Sequence, residues 1–187
     1  MINQDIKNRF ATTDIEIKRD NLSKVTIKKS RVFELIEFLG REYDYKILNV
    51  ITCTDWIEDD HFALNYILST MDRRDTMMVE TLINRNNPSI ATLSKHFRQA
   101  EIMERDLGEM YGIEFVGHPN MRELSLENWI HTPPLRREFD TLEFVNTHLT
   151  FREGRDDNVD TKAETKRLRA IKKAKKLAQK EAKDANS

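Results

Sequence analysis

Apolar residues in the first half of the chain recur at two spacings, one typical of helices and one typical of strands. A spacing of four over residues 1–10 predicts a short helix, and alternation over 14–19 and 24–29 predicts two strands. Ser30 is a candidate N-cap for a second helix whose apolar positions keep helical spacing as far as Gly40. Three apolar segments separated by polar turns then predict strands over residues 46–56, 61–70 and 75–84.

The second half begins with a break at Asn86-Asn87-Pro88 and then returns to helical spacing. A long helix is predicted from Ser89 to Gly112, and Pro133-Pro134 prevents a regular helix in the segment 119–139. The resulting order, α-β-β-α-β-β-β-α, predicts an α+β fold. We expect a two-layer sandwich of helices on one mixed or antiparallel sheet, forming one domain over residues 1–139. Its last part, about residues 114–139, is an extended C-terminal arm, called the extended arm below.

Charge separates the end of the chain from its body. Residues 155–187 contain 11 Lys or Arg and 6 Asp or Glu, whereas the whole chain has a net charge of −1, so an acidic body carries a basic tail. Residues 161–187 contain no aromatic residue, glycine or proline and are rich in good helix formers. We expect residues 140–187 to form a polar basic tail that is helical or disordered. Without aromatic side chains to stack on bases, the tail does not predict nucleic acid as a partner.

Several classes of function lack their usual sequence signals. The single cysteine, Cys53, excludes an internal disulfide and a four-cysteine metal site, and it is expected to be a small buried residue. No run of 18 apolar residues predicts a membrane span, and the N-terminus does not resemble a secretory signal, so the cytoplasm is the expected compartment. The metal motif HExxH, the nucleotide motifs GxGxxG and Walker A, and the hydrolase motif GxSxG are all absent.

The segment ERDLGEMYGIEFVGHPN, residues 104–120, concentrates acid–base residue types and three of the five glycines. Arg105 lies four residues from both Glu101 and Glu109, which predicts ion pairs along a solvated helix face. Two alternatives remain open: an ion-pair network at an interface, and a catalytic acid or base. His118, between Gly117 and Pro119, is expected to hydrogen-bond a nearby carbonyl and fix a tight corner.

The ordered run of residues resembles the signature of the 30 kDa subunit of respiratory complex I. A tryptophan and a Pro-Leu-Arg-Arg sequence further along resemble the end of the same family pattern. The signature residues, which we expect at an interface, are Glu104, Arg105, Asp106, Glu109, Gly112, Ile113, Gly117, His118, Pro119, Trp129, Pro134, Leu135, Arg136 and Arg137. The chain departs from the family pattern where Asp106 replaces a glutamate and Glu109 an aspartate, and where Glu123 follows Arg122.

The resemblance implies a non-catalytic subunit in the peripheral arm of a complex I-like oxidoreductase. Such a subunit binds no cofactor and packs on the hydrogenase-like large subunit near the small iron–sulfur subunit, and it touches the membrane arm only indirectly. Iron–sulfur clusters, and flavin or a [NiFe] centre, belong to its partners. The resemblance implies a hetero-oligomer on the cytoplasmic face of the cell membrane. The equivalent subunit of an energy-converting [NiFe] hydrogenase or formate hydrogenlyase is the alternative, and a small soluble acid–base enzyme using Glu104, Glu109 and His118 is the alternative from another class.

Overall fold

The computed structural model describes residues 2–10 and 14–149, together with Lys166 and Arg169. Two short 3₁₀ turns, Lys29–Arg31 and Ile57–Asp59, accompany the regular elements. The helices are α1 (Ile2–Arg9), α2 (Val32–Glu42), α3 (Ala100–Tyr111) and α4 (Thr141–His148). The strands are β1 (Asp14–Arg19), β2 (Leu22–Thr26), β3 (Ile47–Trp56), β4 (His61–Ser69), β5 (Thr76–Asn84), β6 (Ser89–Ala91) and β7 (Glu114–Val116).

Five strands form one mixed sheet in the order β1-β2-β5-β4-β3. Within this sheet, β2 and β5 pair in parallel, and the other three pairings are antiparallel. A tight polar turn joins β4 to β5: the Thr70 hydroxyl donates a hydrogen bond of 2.6 Å to Asp72, and Arg73 adopts a positive φ of 57°. The short strands β6 and β7 pair in parallel as a separate two-stranded sheet.

The core lies between the helices and one face of the main sheet. Alternation along β4 sends its large apolar side chains to this face, and they are fully buried: Phe62, Leu64, Tyr66 and Leu68. Helix α2 buries one face against the same core with Val32, Leu35, Ile36, Phe38 and Leu39. On the opposite face of the sheet, Trp56 and Leu82 remain nearly half exposed. The predicted α+β fold, with helices layered on one mixed sheet, is confirmed.

Two local predictions near the second helix are wrong in detail. Strand β2 covers Leu22–Thr26 rather than 24–29. Its register is fixed by parallel pairing with β5, where Val25 lies opposite Val79. Ser30 does not cap α2, because it lies inside the preceding 3₁₀ turn, and the N-cap residue Arg31 makes no capping hydrogen bond through its side chain.

The helix predicted from Ser89 to Gly112 begins only at Ala100. Residues 89–91 form β6 instead, where Ile90 pairs with Phe115 of β7. Their helical spacing is accidental, since Ile90, Leu93 and Ala100 are buried from a strand, a turn and a helix respectively. Pairing with a strand that lies beyond α3 in the sequence therefore overrides the local pattern.

The chain divides into two compact units, residues 1–140 and 141–187. Helix α4 belongs to the second unit, most of which lies outside the described residues. The predicted domain over residues 1–139 and the predicted character of the tail over 140–187 stay predictions. No helix in the described part of the chain is long and apolar enough to cross a membrane.

Candidate functional site

Glu104 sits on the inner face of α3 and has no exposed surface. Its carboxylate accepts a hydrogen bond of 2.6 Å from the backbone N–H of Leu93 and another from the hydroxyl of Thr92. Burial raises the pKa of Glu104, and these two hydrogen bonds offset only part of that effect. Glu104 therefore holds the turn after β6 against the helix.

His118 closes the corner after β7 from beneath. Its imidazole is fully buried, and Nε2 lies 3.0 Å from the carbonyl oxygen of Glu101. Because Nδ1 accepts a 3.0 Å hydrogen bond from the N–H of Asn120, Nε2 carries the proton and donates to that carbonyl. Gly117, at a φ of 84°, supplies the backbone bend. The predicted role of His118 in fixing the corner is confirmed.

Arg105 and Glu109 bind the backbone of the extended arm rather than each other. The Arg105 guanidinium donates to the carbonyl oxygens of Arg122 at 2.9 Å and Glu123 at 2.7 Å. Burial opposes ionisation of the Glu109 carboxylate, but hydrogen bonds from the N–H groups of residues 124–126 outweigh it and lower the pKa. Two side chains one helical turn apart thus bind consecutive carbonyls and amides. The predicted solvated ion pairs of Arg105 with Glu101 and Glu109 do not form.

The end of α3 receives the second half of the extended arm. Gly112 ends the helix with a φ of 72°, and its N–H bonds the carbonyl of Gly108 at 2.9 Å. A Cβ at Gly112 would lie 3.1 Å from Pro133 and 3.2 Å from Arg136, so the extended arm passes where only glycine leaves room. Arg136 then donates a 2.7 Å hydrogen bond to the carbonyl of Tyr111, capping the helix with a cation.

A buried ion-pair network anchors the end of the extended arm to the sheet. Arg85 and Asp55 form a bidentate pair at 2.7 and 3.1 Å, with side chains 10% and 3% exposed. The same carboxylate accepts the backbone N–H of Arg137 at 2.9 Å, and Arg85 also contacts Glu138. Burial opposes ionisation of Asp55, but the bonds from Arg85 and Arg137 outweigh it and lower its pKa. The Arg137 side chain meanwhile pairs with Glu58 at 2.9 Å.

Three further signature residues pack around the extended arm. Ile113 is buried in the core. The Leu135 N–H bonds the carbonyl of Met110, while the Leu135 side chain stays 52% exposed. Trp129 is half-buried and donates its indole N–H to the carbonyl of Thr132 at 3.1 Å. The extended arm therefore combines internal contacts with an apolar side chain left at the surface.

The last signature residues differ in exposure. Pro119 is exposed and Pro134 half-buried. Asp106 is half-buried, and its side chain makes no hydrogen bond or ion pair with any other described residue. Asp106 is thus set apart from the charged residues beside it on α3.

Four residues that complete these contacts were not predicted from the sequence: Asp55, Arg85, Thr92 and Glu138. Asp55 and Arg85 are 30 positions apart and become neighbours only through the strand pairing of β3, β4 and β5. A local signal existed, since both are charged residues at the ends of otherwise apolar strands, but it does not name the partner. Thr92 fell inside the wrongly predicted helix.

The site offers shape rather than an accessible reactive cluster. Glu104 and the imidazole of His118 are without exposed surface, and Glu109 is occupied by three backbone amides. Within residues 2–10 and 14–149, no group of three or more metal-ligating side chains comes together. The fold and site together define a small α+β domain that presents an irregular extended arm, held by buried polar contacts, along the outside of one helix.

The chain belongs to the family described as "Respiratory-chain NADH dehydrogenase, 30 Kd subunit", whose profile matches residues 25–145. It is 29% identical to the C subunit of NADH-quinone oxidoreductase from Citrifermentans bemidjiense over 72% of this chain and 84% of that protein. It is 32% identical to the C/D subunit of NADH-quinone oxidoreductase from Phocaeicola vulgatus over 54% of this chain, but only 19% of that longer protein. The family resemblance seen in the signature is thereby confirmed.

The fold is similar to that of a chain in the archaeal membrane-bound sulfane sulfur reductase, a respiratory membrane complex. The TM-score is 0.72 at 19% sequence identity, covering 81% of this chain and 92% of the other. At that identity the likeness concerns the fold. By its family, the chain is accordingly a complex I-like subunit of the kind that forms one part of NADH-quinone oxidoreductases.

Proposed function

We propose that the chain is a non-catalytic structural subunit in the peripheral arm of a complex I-like, membrane-bound oxidoreductase. It packs through the extended arm on the hydrogenase-like large subunit, near the small iron–sulfur subunit, on the cytoplasmic face of the membrane. It holds partners in place for electron transfer coupled to ion pumping. The clusters and any flavin belong to those partners. The basic tail is not a nucleic-acid site in this proposal.

The observation that carries this proposal is the use of the family signature to order the extended arm. Arg105, Glu109 and Arg136 all place their charged groups on backbone atoms, at distances between 2.7 and 2.9 Å for the best-placed contacts. Such bonds fix a surface without leaving a group free for chemistry. A segment that lacks regular structure and its own core gains from being fixed in this way when a partner must recognise it.

The outer surface of the extended arm has the composition of a contact surface. Four large apolar side chains along it are between 39% and 88% exposed: Met121, Leu124, Ile130 and Leu135. Exposed apolar side chains on a rigid backbone are typical of the buried part of an interface. The relatives with the double designation C/D support a direct neighbour, because one such name covers two subunits in a single chain.

Co-purification tests the assembly. The chain is tagged in its native host, membranes are solubilised in mild detergent, and stoichiometric partners are identified by mass spectrometry. We expect a hydrogenase-like large subunit and a small iron–sulfur subunit. Recovery with a [NiFe] large subunit instead identifies the hydrogenase-type alternative, and recovery of the chain alone from the soluble fraction contradicts the proposal.

An Arg105→Ala variant tests the extended arm directly. Loss of two charge-assisted hydrogen bonds is expected to release the backbone around residues 122–126 and lower the amount of assembled complex severalfold, with turnover per assembled complex unchanged. Arg98→Ala is the matched control, because Arg98 is exposed and lies just before the same helix. Normal assembly with abolished turnover would instead favour the hypothesis of an acid–base enzyme.

A further inference from the structure

A pocket of about 510 Å³ opens between the start of α2 and the small β6-β7 sheet, beside the turn that follows β6. Its volume is within the range of small-molecule sites, about 300–1,000 Å³. Arg105, Glu109 and Arg136, which hold the extended arm, do not line it. The pocket is therefore distinct from the contacts that order the extended arm.

The charged side chains among the described lining residues are both basic. Lys29 and Lys95 line the pocket, and neither forms an ion pair in the described part of the chain. The Lys29 ammonium reaches across to the carbonyl of Ser89 at 3.4 Å, so it is held at the pocket. The positive end of the α2 dipole lies at the same place, since the lining residues Val32 and Phe33 begin that helix.

The pocket wall beneath the lysines is apolar. Ile90 and Leu93 are buried, and the Phe33 ring stands edge-on to His96 with centroids 4.6 Å apart. Behind this wall, the carboxyl of the buried Glu104 bonds the N–H of Leu93. An anion is therefore favoured at the rim, and an apolar group is favoured against the wall.

We propose that this pocket binds a small amphipathic organic anion, a carboxylate on an apolar chain. The carboxylate lies between Lys29 and Lys95, and the chain packs on Phe33, Ile90 and Leu93. None of these five residues belongs to the family signature, so the proposal stands apart from the assembly role. Its failure leaves that role untouched.

Octanoate is the probe, added to the isotope-labelled full-length chain and followed by NMR chemical shifts and calorimetry. We expect saturable binding with a Kd on the order of 10⁻⁴ M, as a ligand of this size with modest efficiency gives. The amides of residues 89–93 should shift most. The Lys29→Met/Lys95→Met double variant should weaken binding about five- to tenfold, as loss of two exposed charge contacts predicts. Lys18→Met/Lys46→Met is the matched control, because both of its lysines pair with exposed acids.

Three further ligands make the outcome decisive. Octan-1-ol should bind at least fivefold more weakly than octanoate, and equal binding would show an apolar cavity indifferent to charge. Inorganic phosphate should not compete below millimolar concentration, and tight binding of phosphate alone would show a simple anion site. Sedimentation with phosphatidylglycerol vesicles in the absence of octanoate binding would assign the lysines to a membrane surface. Each of these contrary results, or equal octanoate affinity in both double variants, overturns the proposal.

Discussion

Replacement of Asp55 by asparagine is expected to lower the free energy of unfolding by about 3 kcal/mol. The Asp55 carboxylate lies against the Arg85 guanidinium with only 3% of its side chain exposed. Removing one member of a buried pair typically costs about 3–5 kcal/mol, because the other charge is left buried. The cost here falls at the lower end, since Arg85 retains Glu138, whose side chain is 37% exposed and solvated.

This loss is large enough to measure and small enough to leave the domain folded. Domains of this size are stable by about 5–15 kcal/mol, so Asp55→Asn should remain folded at room temperature with a melting temperature lower by about 10 °C. Urea unfolding followed by circular dichroism gives the free energy, and the slope with urea should not change. Faster hydrogen exchange at the amide of Arg137, which donates to this carboxylate, should accompany the loss.

A double-mutant cycle separates the pair from its surroundings. Asp55→Asn, Arg85→Gln and the double variant should show a coupling energy of about 2 kcal/mol, since the two residues share two hydrogen bonds. Glu34→Gln is the control: its i,i+3 pair with Arg31 is solvated and should contribute less than about 0.5 kcal/mol. Additive effects of the two substitutions, or an Asp55→Asn variant as stable as the parent chain, would refute the assignment of this network as the anchor of the extended arm.

Three other substitutions probe the signature helix. Gly112→Ala should destabilise by about 2 kcal/mol in urea unfolding, because of its φ of 72° and a Cβ 3.1 Å from a neighbour, whereas Gly40→Ala inside α2 should be neutral or stabilising. The raised pKa of Glu104 means that the folded chain holds a proton longer than the unfolded chain does. The stability from that proton is full below pH 4.5 and is lost as pH rises through the raised pKa; Glu104→Gln should abolish this dependence in urea unfolding at several pH values. Glu109→Gln should raise hydrogen exchange at residues 124–126 about tenfold without lowering global stability by more than about 1 kcal/mol; unchanged exchange there would contradict its role.

The main sheet was easier to predict from the sequence than the site. Strands β3, β4 and β5 were predicted within one residue at each end, because long apolar runs bounded by polar turns leave few alternatives. The segment 89–99 failed because three residues of a short strand carry too little pattern to compete with an accidental helical spacing. Arg105 and Glu109 were recognised as important, but their partners are backbone atoms about 17 residues away that carry no side-chain signal.

The structure explains why a signature so rich in acid–base residues supports assembly better than chemistry. A catalytic group must be reachable and free to exchange its proton, and Glu104, Arg105, Glu109 and His118 are each bound to main-chain atoms of the same domain. Asp106 differs, because it is half-buried on the same helix and bonds to no other described residue. A partly desolvated carboxylate without a partner is unfavourable in the isolated chain. It becomes favourable when a neighbouring subunit supplies a cation, which makes Asp106 the signature residue best placed to contact a partner directly.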